Sequence, residues 1–98
     1  MKVAIKMLDA RTARAKFADK SNTSWYADIA NGVVPAGVPV GLRGKGWNES
    51  ELDAVLAARA AGWNDDQVRQ LVRGLIEERH VRAAELSRFL QPANPAMA

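Results

Sequence analysis

The sequence predicts a mainly α domain with a small β-hairpin and a C-terminal helical extension. Three observations predict it. Two short helix-forming stretches are separated by the polar, capping residues Asp19-Lys20-Ser21-Asn22. Behind them, Val38, Val40 and Leu42 approach a glycine turn at Arg43-Gly44, and Lys45-Gly46-Trp47 returns. Further on, Val68, Leu71, Val72, Leu75 and Ile76 recur at i, i+3, i+4, i+7 and i+8, the mark of an amphipathic helix. A short helix pair followed by a basic hairpin is the layout of a winged helix-turn-helix.

Taken in order, Val3, Ile5 and Met7 alternate with small or charged residues and predict a short extended run. Asp9 can cap a helix from about Ala10 to Phe17, with Leu8 placed to staple it. Ala10, Ala13 and Phe17 share a face, leaving Arg11, Arg14 and Lys16 outward or at its edges. A second helix runs over about Asn22–Asn31 and ends at Gly32, a residue suited to the left-handed position past a helix end. Pro35 and Pro39 restrict the following strands to sheet edges. Asn48-x-x-Glu51 resembles a capping box and starts a helix with Leu52, Val55 and Leu56 on one face, stopped by Gly62. Asn64-Asp65-Asp66-Gln67 repeats the device, with two carboxylates where the helix dipole favours them. Leu86, Phe89 and Leu90 restart an apolar face, and 91–98, with Pro92 and Pro95, reads as a loose tail. The organisation expected is a core over 1–62, a helical extension over 63–90 and a flexible tail over 91–98.

The bulk numbers fit one soluble domain. Ninety-eight residues, 48% hydrophobic and 26% charged, suffice for a modest core. No apolar run approaches the roughly 18 residues of a membrane span. The interrupted apolar stretch at the N-terminus is too short for a secretory signal, and the absence of cysteine excludes disulfides and thiolate metal sites. A cytoplasmic setting is expected. The net charge of +3 is uneven: residues 1–47 carry eight Lys/Arg against three Asp, and residues 48–98 six Arg against eight Asp/Glu. The basic half is the half with the helix pair and hairpin, which favours a phosphate-bearing partner.

The segment Thr23-Ser24-Trp25-Tyr26, then Gly32-x-x-Pro35-x-x-Val38-x-Val40-Gly41-x-Arg43-x-x-x-Trp47-x-x-Ser50-Glu51-Leu52, resembles AlpA-type prophage regulators. These belong with the MerR-like and excisionase-like winged helix-turn-helix proteins. The resemblance covers about residues 8–60. It implies that Ser21 to Tyr26 start a recognition helix entering the major groove of double-stranded DNA, with Trp25 and Ile29 toward the core. Asn22, Thr23 and Tyr26 would face DNA, with Lys20, Ser21 and Ser24 beside them. Arg43 and Lys45 would touch the backbone or minor groove from the wing, and Trp47 would pack the hairpin on the next helix. Ala27 and Asp28 depart from the family's usual basic and apolar residues, and Pro39 replaces a basic one. The resemblance therefore shifts phosphate contact toward Arg11, Arg14, Lys16 and Lys20.

Two roles follow from the resemblance: a transcriptional regulator of a prophage or integrated element, or an excisionase assisting an integrase. A reading of another class is a protein-interaction module using the 68–76 helix face. Val68, Leu71, Val72, Leu75 and Ile76 could also form a homodimer face, or simply cover their own core. Catalysis is not expected. Gly41-x-x-Gly44-x-Gly46 lacks the Gly-Lys-Ser/Thr ending of a phosphate loop. His80 has no second ligand at metal spacing, and Asp65/Asp66 and Glu77/Glu78 read as dipole and surface charges. No cofactor is expected. Trp25, Trp47 and Trp63, all at element junctions, read as core anchors rather than base-stacking platforms.

Overall fold

Asp9 opens the first helix as its spacing predicts: its carboxylate accepts the Thr12 amide at 2.8 Å, and α1 runs Ala10–Lys16. The computed structural model describes residues 5–41 and 44–90. The other elements are β1 (Met7–Leu8), α2 (Asn22–Ala30), β2 (Val38–Pro39), β3 (Lys45–Asn48), α3 (Glu49–Ala60) and α4 (Asp65–Leu86), followed by a 3₁₀ turn over Ser87–Phe89. The molecule is mainly helical with one small antiparallel sheet.

The turn between α1 and α2 is tight and left-handed at two residues. Ala18 has φ 61° and Asp19 φ 55°. Neither is glycine, so each Cβ crowds the following carbonyl at a cost of roughly 1–2 kcal/mol. Arg14 holds the turn together. Its carbonyl accepts the amides of Phe17 (3.0 Å) and Lys20 (3.2 Å), and its guanidinium reaches the Lys20 carbonyl at 3.4 Å. Ser21 then caps α2 by accepting the Ser24 amide at 3.1 Å. At the other end of α2, Gly32 takes φ +78°, as predicted.

The sheet has three strands rather than the two of a simple hairpin. β3 is central, with β1 on one side (Leu8 opposite Trp47) and β2 on the other (Val38 opposite Gly46). Pro39 lies on an edge strand, where its missing N–H is harmless. Trp47 joins the layers. Its indole donates to the Pro35 carbonyl at 2.9 Å, and its ring meets Trp25 edge-on at 5.6 Å. Gly37 lies so close over it that an added Cβ would stand 2.8 Å from the indole. Leu8, Ala13, Trp25, Val34 and Leu52 complete this cluster.

A second cluster joins α3 to α4: Val33, Val55, Ala58, Val68 and Val72. Val68 and Val72 are buried against their own chain, so at these two positions the stripe covers its own core, one of the two readings of it. Leu71, Leu75 and Ile76 flank the same contact, half-buried. The stripe covers the domain because α3 offers it the complementary face Val55–Ala58.

Two further expectations change. Asn64 and Gln67 form the reciprocal capping box, but Asn48 caps α3 through the Ser50 amide (3.0 Å), and Glu51 does not reach back to it. Glu51 is instead buried and gripped by Arg79 of α4 through both carboxylate oxygens, the closest contact being 2.7 Å. Arg79 also donates to the Ala36 carbonyl at 2.8 Å, tying α4 to the segment after α2. Trp63 is 42% exposed at the α3–α4 turn and is no core anchor, unlike Trp25 and Trp47. Leu86, Phe89 and Leu90 lie at the α4 end, where every residue from His80 to Leu90 is exposed. Residues 91–98, expected as a tail, lie outside the described residues.

Candidate nucleic-acid interface

The first turns of α2 present a polar surface on a rigid support. Ser21, Asn22, Thr23, Ser24 and Tyr26 are all exposed, while Trp25 between them is fully buried. Burial of that indole fixes the rotation of α2 about its axis, so its neighbours at 22, 23 and 26 must point outward. Phe17 meets Trp25 edge-on at 5.3 Å, fastening α1 to the same anchor. Tyr26 meets Trp47 edge-on at 6.5 Å and is itself 43% exposed. Two residues before Trp47 on β3, Lys45 is exposed. The α2 surface and the hairpin cation thus share one support, the Trp25–Trp47 pair. Arg43 lies outside the described residues.

The cations divide into two groups. Arg11 and Lys45 are exposed, and among the described residues neither has a carboxylate partner within 4 Å. Lys16 is committed to α3, at 3.0 Å from Asp53 and 3.2 Å from Glu49, and these bonds raise its pKa above the usual lysine range. Lys20 is ion-paired with Asp28 one helix face away. The Asp28 charge, at a position where the resemblance sets an apolar residue, is thus neutralised within the domain. Arg14, expected outward or at the edge of the α1 apolar face, is partly buried and supports the α1–α2 turn. Its Nε is buried without a hydrogen-bond partner. Lys16, Lys20 and Arg14 thus serve the fold first. The signal was present in sequence only as carboxylates far away along the chain, at 28, 49 and 53.

The remaining polar groups have structural roles. The Asp9 carboxyl is held below the ordinary range by the Thr12 amide, and the Asp65 carboxyl is lowered by Arg59 at 2.8 Å. His80 is exposed, 3.8 Å from Glu77. Among the described residues no three His, Asp or Glu side chains gather as a metal site, and no helix is long and apolar enough to cross a membrane. Compared with known proteins, the chain matches no family model, no curated protein and no solved structure.

Proposed function

We propose that this protein is a sequence-specific double-stranded DNA-binding protein of the winged helix-turn-helix type. In this reading α1 and α2 are the helix-turn-helix, α2 enters the major groove by its N-terminal turns, and the β2–β3 hairpin is the wing. One observation carries it: the exposed polar run Ser21–Tyr26 stands on the buried Trp25–Trp47 pair that also supports the Lys45 strand. Such a platform presents a helix N-terminus and a basic hairpin together. Helix amides and cations position the protein on phosphates, and Asn22, Thr23 and Tyr26 read base edges. The resemblance to AlpA-type proteins supplies the biological role: regulation of genes on a prophage or integrated element.

The internal ion pairs sharpen the expected salt dependence. Six neutralised phosphates would give a log–log slope near −5, at about −0.9 per phosphate. With Lys16 and Lys20 held by carboxylates and Arg14 committed to the α1–α2 turn, about three contacts remain, and the slope should lie near −2.7. Affinity for duplex DNA measured between low and physiological salt tests this, and a flat response would overturn DNA binding. Lys45→Ala and Arg11→Ala should each reduce the slope by about 0.9 for every sequence tested, whereas Asn22→Ala should relax base preference. Footprinting over the host element's promoters and attachment site then separates regulation from excision.

A further inference from the structure

Lys20 stands immediately before Ser21, the cap of α2, at the edge of the exposed polar run. Its backbone is pinned: its amide donates to the Arg14 carbonyl (3.2 Å), and its own carbonyl accepts from the Arg14 guanidinium (3.4 Å). The side chain alone decides where the charge sits. That charge is drawn back along the flank of α2 to Asp28, away from the helix N-terminus. Asp28 lines a cavity of about 300 Å³ together with Lys16, Lys20 and Arg59. Lys16 has two carboxylate partners of its own, Glu49 and Asp53, and Arg59 has Asp65. Among the described residues Asp28 has no cation within 4 Å except Lys20, and its carboxylate accepts no other hydrogen bond. Both side chains are partly open to water, at 34% and 24%, and an ion pair so placed adds little stability. What the pair fixes is the position of a charge.

We infer that Asp28 attenuates the α2 edge: it holds the Lys20 ammonium as an internal stand-in for phosphate, and so lowers affinity for polyanions without altering base preference. The pair is neutral as a unit. A phosphate that took Lys20 would leave the Asp28 carboxylate unpaired, half-buried and close to the new anion, and each of these opposes the exchange. Lys20 therefore adds no phosphate contact while Asp28 is present. With Asp28 made neutral, the same ammonium, on its pinned backbone beside the α2 cap, becomes free to meet one phosphate. Phosphates are alike at every sequence, so the effect falls equally on preferred and random duplexes. The consequence for DNA rests on the proposed function, whereas the competition between Asp28 and an external anion does not.

Elution of the full chain from heparin, and titration of duplex DNA at several salt concentrations, test it. Asp28→Asn should leave heparin at higher salt than the unaltered protein, and Asp28→Ala, which cannot hold the ammonium at all, should do the same. On duplex DNA the log–log slope of either variant should steepen by about 0.9, from near −2.7 to near −3.6. That is roughly fivefold tighter binding at about 0.15 M salt, for every sequence tested. Combining Asp28→Asn with Lys20→Gln removes the pair as a neutral unit, and should return slope and elution to those of the unaltered protein. Asp28 variants that elute with the unaltered protein overturn the inference. So does a double variant that keeps the gain, because another cation would then be responsible. A double variant whose slope is shallower than the unaltered protein's by about 0.9 overturns it too, because Lys20 would already be on phosphate. A changed base preference in Asp28→Asn would make Asp28 a base contact and not an attenuator. Absence of salt-dependent duplex binding with the heparin shifts intact would sink the DNA-binding reading and leave this inference standing.

Discussion

Glu51 is a carboxylate inside a hydrophobic interface, and Arg79 is what makes it tolerable there. The pair is bidentate, with the Glu51 side chain only 5% exposed. Removing one partner leaves a charge without water or counterion, which costs more than the pair itself contributes. Glu51→Leu alone is expected to lower unfolding free energy by about 3 kcal/mol, measured by urea denaturation, because Arg79 is left partly buried. Glu51→Leu with Arg79→Met should recover most of that loss, since matched apolar groups carry no desolvation penalty. Asp9 acts through a backbone amide instead. Its depressed pKa means its stabilisation is complete above the ordinary carboxylate range and is lost as pH falls through the lowered value. Thermal midpoints should therefore fall less steeply in acid for Asp9→Asn, which keeps the cap but does not titrate.

At the level of elements, the α1–α2 turn holds backbone strain at Ala18. Ala18→Gly should relieve roughly 1–2 kcal/mol of crowding and return about half of it through the freer unfolded chain. A net gain of about 0.5–1 kcal/mol in chemical denaturation is expected; a loss would mean that the Ala18 methyl packs favourably. The helix starts at Asp9, Ser21, Asn48 and Asn64 were legible in the sequence because a cap and its amide lie within three residues. Gly32 was legible for the same local reason. What lay beyond reading were contacts made across the fold. Glu51 three residues after Asn48 looked like a capping partner, and only the approach of α4 made it Arg79's. Lys16 and Lys20 looked like free cations, because Asp53 and Asp28 become neighbours through helix packing alone. Within the candidate site, the outward placing of Asn22, Thr23 and Tyr26 came from the family resemblance, which sets Trp25 and Ile29 toward the core, but the sharing of Trp47 between α2 and the hairpin was not legible.

Across the whole molecule, order is graded along α4. Its first three turns bury Val68 and Val72, and Arg79 fastens the middle, but from His80 to Leu90 no residue is buried. Backbone amides of 81–86 should exchange much faster than those of 68–76 in dilute protein, and hydrogen exchange read by mass spectrometry can show it. Equal protection in both segments would contradict the gradient. Trp63 belongs to this scale too. Its indole is exposed at the α3–α4 turn, whereas Trp25 and Trp47 are buried in the core.

β1 is two residues long, yet two helices begin from it. Leu8 leads directly into the Asp9 cap of α1, while the Lys6 carbonyl accepts the amide of Glu49, the first residue of α3, at 2.8 Å. Met7 pairs with Asn48, so some forty residues of chain must be drawn into a loop before this strand has a partner. Closing that loop is entropically costly and comes before most of its reward. For a mostly helical protein of this size, folding should be correspondingly slow, with a transition state in which the β1–β3 pairing is already made. A chain emerging from the ribosome would hold α1 and α2 only loosely until residue 48 had cleared the exit, and would then acquire both helices and the sheet in one step.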